Sequence, residues 1–139
     1  MRFVTWTSHF LAYAWVFSYY LREAMRARAL RGVHVLDGQI LRIPDKEGLK
    51  IPHIGWNSLD LQNNGRLFKG LSEHPYVYFV HSYYLKATDE AIVTATTEYS
   101  THIHASVEKN NVFACQFHPE KSSTVGLSIL KNFAGIGEA

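Results

Sequence analysis

The residues with the most chemical promise lie together near the C-terminus, in Gln116-Phe117-His118-Pro119-Glu120-Lys121-Ser122. An imidazole can take a proton from a nucleophile and return it to a leaving group, while a carboxylate holds the ring by its other nitrogen. His118 and Glu120, two residues apart, could fill those two roles. The run Val112-Phe113-Ala114-Cys115-Gln116-Phe117 reads as a strand, and Pro119 ends it because proline offers no ladder N–H and fixes its own φ. The pair would then stand at the carboxyl end of a strand, where α/β sheets gather ligands. On these residues alone a satisfied structural histidine is an equal reading, since a single His-x-Glu spacing is common.

A base needs a nucleophile within hydrogen-bond reach. Cys115 is the only cysteine in the chain. Side chains alternate faces along an extended strand, so Cys115 and Phe117 point away from Gln116 and His118. Cys115 therefore reads as a small buried hydrophobe. A lone cysteine also forbids an internal disulfide, excludes zinc sites built on paired cysteines, and favours a reducing, cytoplasmic setting. His102 and His104 would share one strand face, as a metal pair requires, yet no third ligand accompanies them, so neither a metal nor another cofactor is expected.

The elements that must position these residues come from a chain of 139 residues, 47% hydrophobic, which suits one domain. The net charge of +2 is small, and the basic excess sits mainly at Arg2, Arg22, Arg26, Arg28 and Arg31, so nucleic acid is not an expected partner. The apolar run from Phe10 to Leu21 is crowded with aromatics, is followed by arginines, and is too short to span a bilayer. A buried segment is expected there, with no membrane association. Beyond Gly32 come short β-branched or aromatic runs: Ile40–Ile43, Tyr76–Val80, Ala91–Thr96, Ile103–Val107 and Val112–Phe117. Asn110-Asn111 suits a tight hairpin turn. The tail Thr124–Ala134 predicts a closing helix with Leu127, Leu130 and Ala134 on one face and Gly135 as its stop. A mixed sheet with a helix packed on it implies an α/β or α+β domain.

The full string Gln-Phe-His-Pro-Glu-Lys-Ser resembles the signature of the class I glutamine amidotransferases. Leu36-Asp37-Gly38-Gln39, Ile51-Pro52-His53-Ile54-Gly55-Trp56-Asn57 and Tyr78-Phe79-Val80-His81-Ser82-Tyr83 narrow the resemblance to the glutaminase subunits of imidazole glycerol phosphate synthase, over roughly Val33 to Ile136. The resemblance implies a flavodoxin-like α/β sheet. It implies a cysteine-histidine-glutamate triad that hydrolyses glutamine through a thioester and passes ammonia to a cyclase subunit in histidine biosynthesis. His118 and Glu120 match its last two members. His81, Ser82 and Tyr83 fall in the substrate pocket, and Gly55, Trp56, Asn57 and Lys121 lie toward the cyclase. The Pro52–Asn57 match argues against amidotransferases feeding anthranilate or guanylate synthesis, and a cyclase-binding remnant without catalysis is the alternative.

The family's nucleophile sits in a Gly-x-Cys-x-Gly turn, but the matching region here reads Ala12-Tyr13-Ala14-Trp15-Val16, and no glycine precedes Gly32. Hydrolysis by this chain is therefore expected to be lost. Shifted by one base, codons for Tyr13-Ala14-Trp15-Val16 are compatible with Ile-Cys-Leu-Gly. Residues 1–32 thus read as an aberrant, frameshifted segment, and residues 33–139 as the C-terminal part of an amidotransferase domain whose sheet is expected to be incomplete at its N-terminal side.

Overall fold

The computed structural model describes residues 5–6, 9–12, 38–110 and 112–138. The residues that spell the proposed frameshift, from Tyr13 onward to 37, lie outside the described residues, as does the Leu36-Asp37 part of the first matched motif. Ten strands and one α-helix are described: β1 (Thr5–Trp6), β2 (His9–Ala12), β3 (Gly38–Arg42), β4 (His53–Ser58), β5 (Asp60–Leu61), β6 (Tyr76–His81), β7 (Tyr83–Ala87), β8 (Val93–Tyr99), β9 (Thr101–Lys109), β10 (Val112–Cys115) and α1 (Ser123–Glu138).

The long strand β9 organises the main sheet. It pairs along one edge with β8 from Val107 to Thr101, and its other edge is shared by β10 and, at the Leu85–His104 bridge, by β7. The sheet continues through β3 on the β7 side and through β2 and β1 on the β10 side. All these pairings are antiparallel except one: β2 runs parallel to β10, with Ala12 opposite Ala114. The sheet is mixed, as its sequence implied. At the β9–β10 turn Asn110 adopts φ 53°, a left-handed conformation that asparagine tolerates, which lets Lys109 pair with Val112.

A second, two-stranded ribbon joins β4 to β6 in antiparallel register, His53 opposite His81 and Ser58 opposite Tyr76. The β-branched and aromatic run Tyr76–Val80 predicts β6, whereas Gly55 inside β4 and Pro52 just before it mask the strand character of that segment. The side chain of Thr97 donates to the carbonyl of Ser58 at 2.8 Å and that of Asn57 to the carbonyl of Glu98 at 2.9 Å, so the ribbon is tied to β8.

The principal core joins the strand residues Val77, Phe79, Phe113 and Cys115, with Phe117 just beyond β10, to Ile129 and Phe133 of α1. Burial of such side chains is the main driving force for closing the helix onto the sheet. The buried stripe of α1 is Gly126, Ile129 and Phe133, whereas Leu127 is 58% exposed and Ala134 is exposed. Of the expected apolar face, Leu130 packs against the core, whereas Leu127 and Ala134 are turned outward. The cause is Gly126: a Cβ there would stand 1.7 Å from the carbonyl oxygen of Pro119, so this point of the helix must face the turn that follows β10. The helix also runs through Gly135 to Glu138 instead of stopping, because an isolated glycine weakens a helix without forbidding it.

Candidate active site

Strand β10 ends at Cys115, two residues before the expected Phe117. Backbone pairing nevertheless continues where Gln116 N–H donates to Ala105 O at 2.8 Å. His118 follows in an extended conformation, φ −102° and ψ 99°, and Pro119–Lys121 form one 3-10 turn with proline at its start. This turn brings Glu120 back over the imidazole: His118 Nδ1 lies 2.9 Å from Glu120 Oε1. A carboxylate accepts only, so Nδ1 carries the proton and Nε2 is left with a lone pair. The imidazole is largely buried, its side chain 10% exposed, against 45% for Glu120. A base that gains a proton at Nε2 thus has a fixed carboxylate on its far side to hold the resulting charge.

The corner is locked from two directions. His118 N–H donates to Tyr78 O at 2.9 Å, and Tyr78 N–H donates to Ser122 Oγ at 3.0 Å. Ser122 Oγ in turn donates to His118 O at 2.6 Å, so one fully buried hydroxyl bridges β6 to the His118 peptide. Sequence reasoning missed this role. The available signal was a serine four residues after the histidine in a turn, a position from which hydroxyls commonly return to the backbone.

Cys115 does not join this group. It is buried in the core, its Sγ 3.6 Å from Phe117 O, and burial, helped by the Glu120 charge, pushes its thiol strongly upward from the usual thiol range. A thiol held protonated is a poor nucleophile. Gln116 is likewise buried, its Nε2 lacks a hydrogen-bond partner among the described residues, and it lines a cavity of about 10 Å³ beside Ser106 and His104.

The His81-Ser82-Tyr83 segment turns the chain from β6 into β7. His81 Nδ1 lies 2.9 Å from Tyr83 O, and Ser82 O accepts from Ile43 N–H at 2.9 Å. His81 Nε2 lies 2.9 Å from Nδ1 of His53, its cross-strand partner. The pKa of His81 is lowered to about 4, first by burial; the Tyr83 carbonyl opposes that shift and the charge of nearby His118 adds to it. That of His53 is also lowered to about 4, by burial and then by His81. The same strand also reaches the acid-base pair, since Tyr78 O, three residues before His81, accepts from His118 N–H.

The residues expected toward a partner occupy the ribbon and the turn. Along β4 and β6 the faces alternate: His53, Val77, Phe79 and His81 are buried, while Ile54, Trp56, Tyr76 and Val80 are 59%, 53%, 60% and 38% exposed. Trp56 meets Tyr78 edge-on at 5.9 Å. Gly55 adopts φ 133°, a conformation open to glycine and rarely to other residues, and Asn57 is held by the Glu98 carbonyl. Lys121 is exposed beside Glu120. Among the described residues no cluster of three or more His, Cys, Asp or Glu is placed to hold a metal. Of the His102 and His104 pair, His104 Nδ1 accepts from Ala87 N–H at 2.9 Å and His102 pairs with Glu98.

Residues 29–135 match the family described as glutamine amidotransferase class-I. The chain belongs to that family. A relative from Caldanaerobacter subterraneus subsp. tengcongensis, imidazole glycerol phosphate synthase subunit HisH, is 48% identical over 102 residues, 73% of this chain and 49% of that protein. The protein of the same name from Methanosarcina acetivorans is 49% identical over 115 residues, 81% of this chain and 56% of its own. The chain spans about half the length of the curated relatives it matches. The crystal structure of a glutamine amidotransferase from Thermotoga maritima superposes with a TM-score of 0.55 over 92% of this chain and 47% of that one, at 14% identity. That likeness carries the amidotransferase fold alone.

Proposed function

We propose that this chain is, by descent, the glutaminase subunit of imidazole glycerol phosphate synthase, whose task is to release ammonia from glutamine for a cyclase subunit in histidine biosynthesis. The observation that carries the reading is the His118–Glu120 pair at the end of β10, beside the end of the parallel strand β2. In such a site a cysteine thiolate attacks the side-chain amide carbon of glutamine. His118 first takes the thiol proton and then gives it to the departing nitrogen, and Glu120 holds the ring throughout. Water, deprotonated by the same imidazole, then cleaves the thioester to glutamate. His81, Ser82 and Tyr83 line the substrate side.

The register supports a location for the missing nucleophile. Ala12 of β2 pairs with Ala114 of β10, so the chain leaves β2 four residues before the level of His118 in the adjacent strand. Position 14, where the shifted frame supplies cysteine, follows two residues later. We read residues 1–32 as carrying the frameshift and residues 33–139 as the family domain; in this translation the acid-base pair is retained without its thiol, and hydrolysis is lost. The exposed Ile54, Trp56, Tyr76 and Val80 face, with Gly55 and Asn57 in its strand and Lys121 near the site, supports a cyclase-docking surface in a heterodimer. A cytoplasmic setting accords with the single buried thiol.

The test compares two proteins in the presence of a cyclase subunit: the chain as it stands, and one whose coding sequence is corrected by one base from the Ala12 codon to about Val33. Ammonia release from glutamine by the corrected chain alone supports the reading. Release by the uncorrected chain overturns its inactivity, and codons that do not spell Gly-x-Cys-x-Gly in the shifted frame overturn the frameshift.

A further inference from the structure

The His53–His81 pair is the one buried ionisable cluster among the described residues that the acid-base chemistry does not use. Its protonation pattern follows from its partners. Tyr83 O can only accept, so His81 Nδ1 must carry a proton to satisfy it at 2.9 Å. The neutral ring then has no proton on Nε2, which must accept from His53 Nδ1–H at 2.9 Å. The order His53 to His81 to Tyr83 carbonyl is the only one that satisfies both contacts with uncharged rings. The His53 ring is itself clamped, stacked on Tyr99 at 3.8 Å and on Phe79 at 4.8 Å, with interplanar angles of 13° and 18°. Both residues are almost out of solvent, at 3% and 6% exposure. Such a directed chain leaves His81 one tautomer and one orientation, as a second hydrogen-bonding partner does for functional histidines elsewhere.

We propose that His53 is a positioning residue for the glutamine site: by donating to His81 it fixes the His81 tautomer, and through the Tyr83 carbonyl it fixes the Ser82-Tyr83 corner beside His118. This rests on the reading of that corner as the substrate side of a glutaminase. Burial of the pair also disfavours a second cation near His118, the sole imidazole of the three with a carboxylate partner. His53 contacts His81, Phe79 and Tyr99, so the hydrogen-bonded route from His53 toward the site runs through His81.

Two substitutions separate the donor from the ring. His53→Phe keeps a flat ring between Tyr99 and Phe79 but cannot donate, whereas His53→Asn sacrifices the stack and offers an N–H close to the position of Nδ1. Nitrogen-15 spectra of the full chain read the His81 tautomer directly, backbone amide spectra read Ser82 and Tyr83, and calorimetry with L-glutamine reads the site. His53→Phe should release His81 into tautomer exchange, move the Ser82 and Tyr83 amides, and weaken glutamine binding about fivefold to tenfold, the worth of one buried hydrogen bond. His53→Asn should restore the His81 tautomer and most of the affinity. An unchanged His81 tautomer and unmoved amides in His53→Phe overturn the proposal, as does an Asn variant no better than the Phe variant. If the unsubstituted chain binds no glutamine, the substrate part of the inference fails, while the imidazole spectra still decide the lock and the corrected chain still decides the glutaminase reading.

Discussion

At the end of β10, His118 meets a half-exposed carboxylate; on the β4–β6 ribbon, His53 meets another imidazole out of solvent. Both contacts measure 2.9 Å, and both histidines stand in strands or at their ends. Their chemistry differs because their partners differ. A carboxylate supports the positive charge that a working base acquires, whereas burial leaves a charge on either imidazole of the ribbon poorly solvated. Histidine content alone therefore says little about where proton transfer can occur; the acceptor behind each ring decides it.

The strongest way to break this comparison is to remove what the two regions share. Phe79 stacks on His53 and meets Phe117 edge-on at 6.0 Å, one residue before His118, and it is fully buried. Phe79→Ala should cost about 3–5 kcal/mol in chemical denaturation and perturb the imidazole signals of His53 and His118 together. Disturbance of one alone would mean that the two regions are independent.

Ser122→Ala acts on the His118 side only. It removes the hydroxyl that donates to His118 O and leaves the Tyr78 N–H without its acceptor. A loss of about 1–3 kcal/mol is expected, with the His118 signal shifted and the His53–His81 signals retained. A neutral result in urea titration would show that the bridge between β6 and the corner is dispensable.

The ribbon side is probed by pH. The pKa values of His53 and His81 are lowered to about 4 in the fold from an ordinary value of 6.5. Above 6.5 neither state gains from protonation; between 6.5 and about 4 the unfolded chain binds protons that the fold refuses, so stability must fall as pH falls through that window. The urea midpoint, followed from pH 7 to 4, should decline less steeply in His53→Phe, which removes one of the two titrating groups. Equal slopes would place the linkage elsewhere.

The smallest change is expected at Lys121, exposed and adjacent to the catalytic candidate Glu120. Lys121→Ala should alter stability by no more than about 0.5 kcal/mol, as is usual for exposed positions. A measurable weakening of cyclase binding with unchanged thermal unfolding would tie it to the docking surface. Loss of fold stability would instead make it part of the corner.

Much of this was legible from residue order. The strands β6, β8, β9 and β10 followed from β-branched and aromatic runs between turn residues, and the closing helix from its apolar content. The elements that escaped have physical reasons. Strand β4 follows Pro52 directly and is interrupted in composition by Gly55, and its pairing with β6 is a long-range event. In helix α1 periodicity favours Leu127, Leu130 and Ala134, while the close approach of Gly126 to Pro119 turns Ile129 and Phe133 inward beside Leu130 and leaves Leu127 and Ala134 outside.

Sequence by itself determined the family string, the spacing of His118 and Glu120, and the want of a cysteine where the family's turn belongs, because these depend only on which residues stand in which order. Tertiary structure decided the rest. It closed the His118–Glu120 contact through a 3-10 turn, buried Cys115 in the core, and gave the Ser122 hydroxyl two backbone partners. It also joined His53 to His81, twenty-eight positions apart. Hydrogen bonds act over about 3 Å, and only the register between distant strands sets which polar atoms come that close.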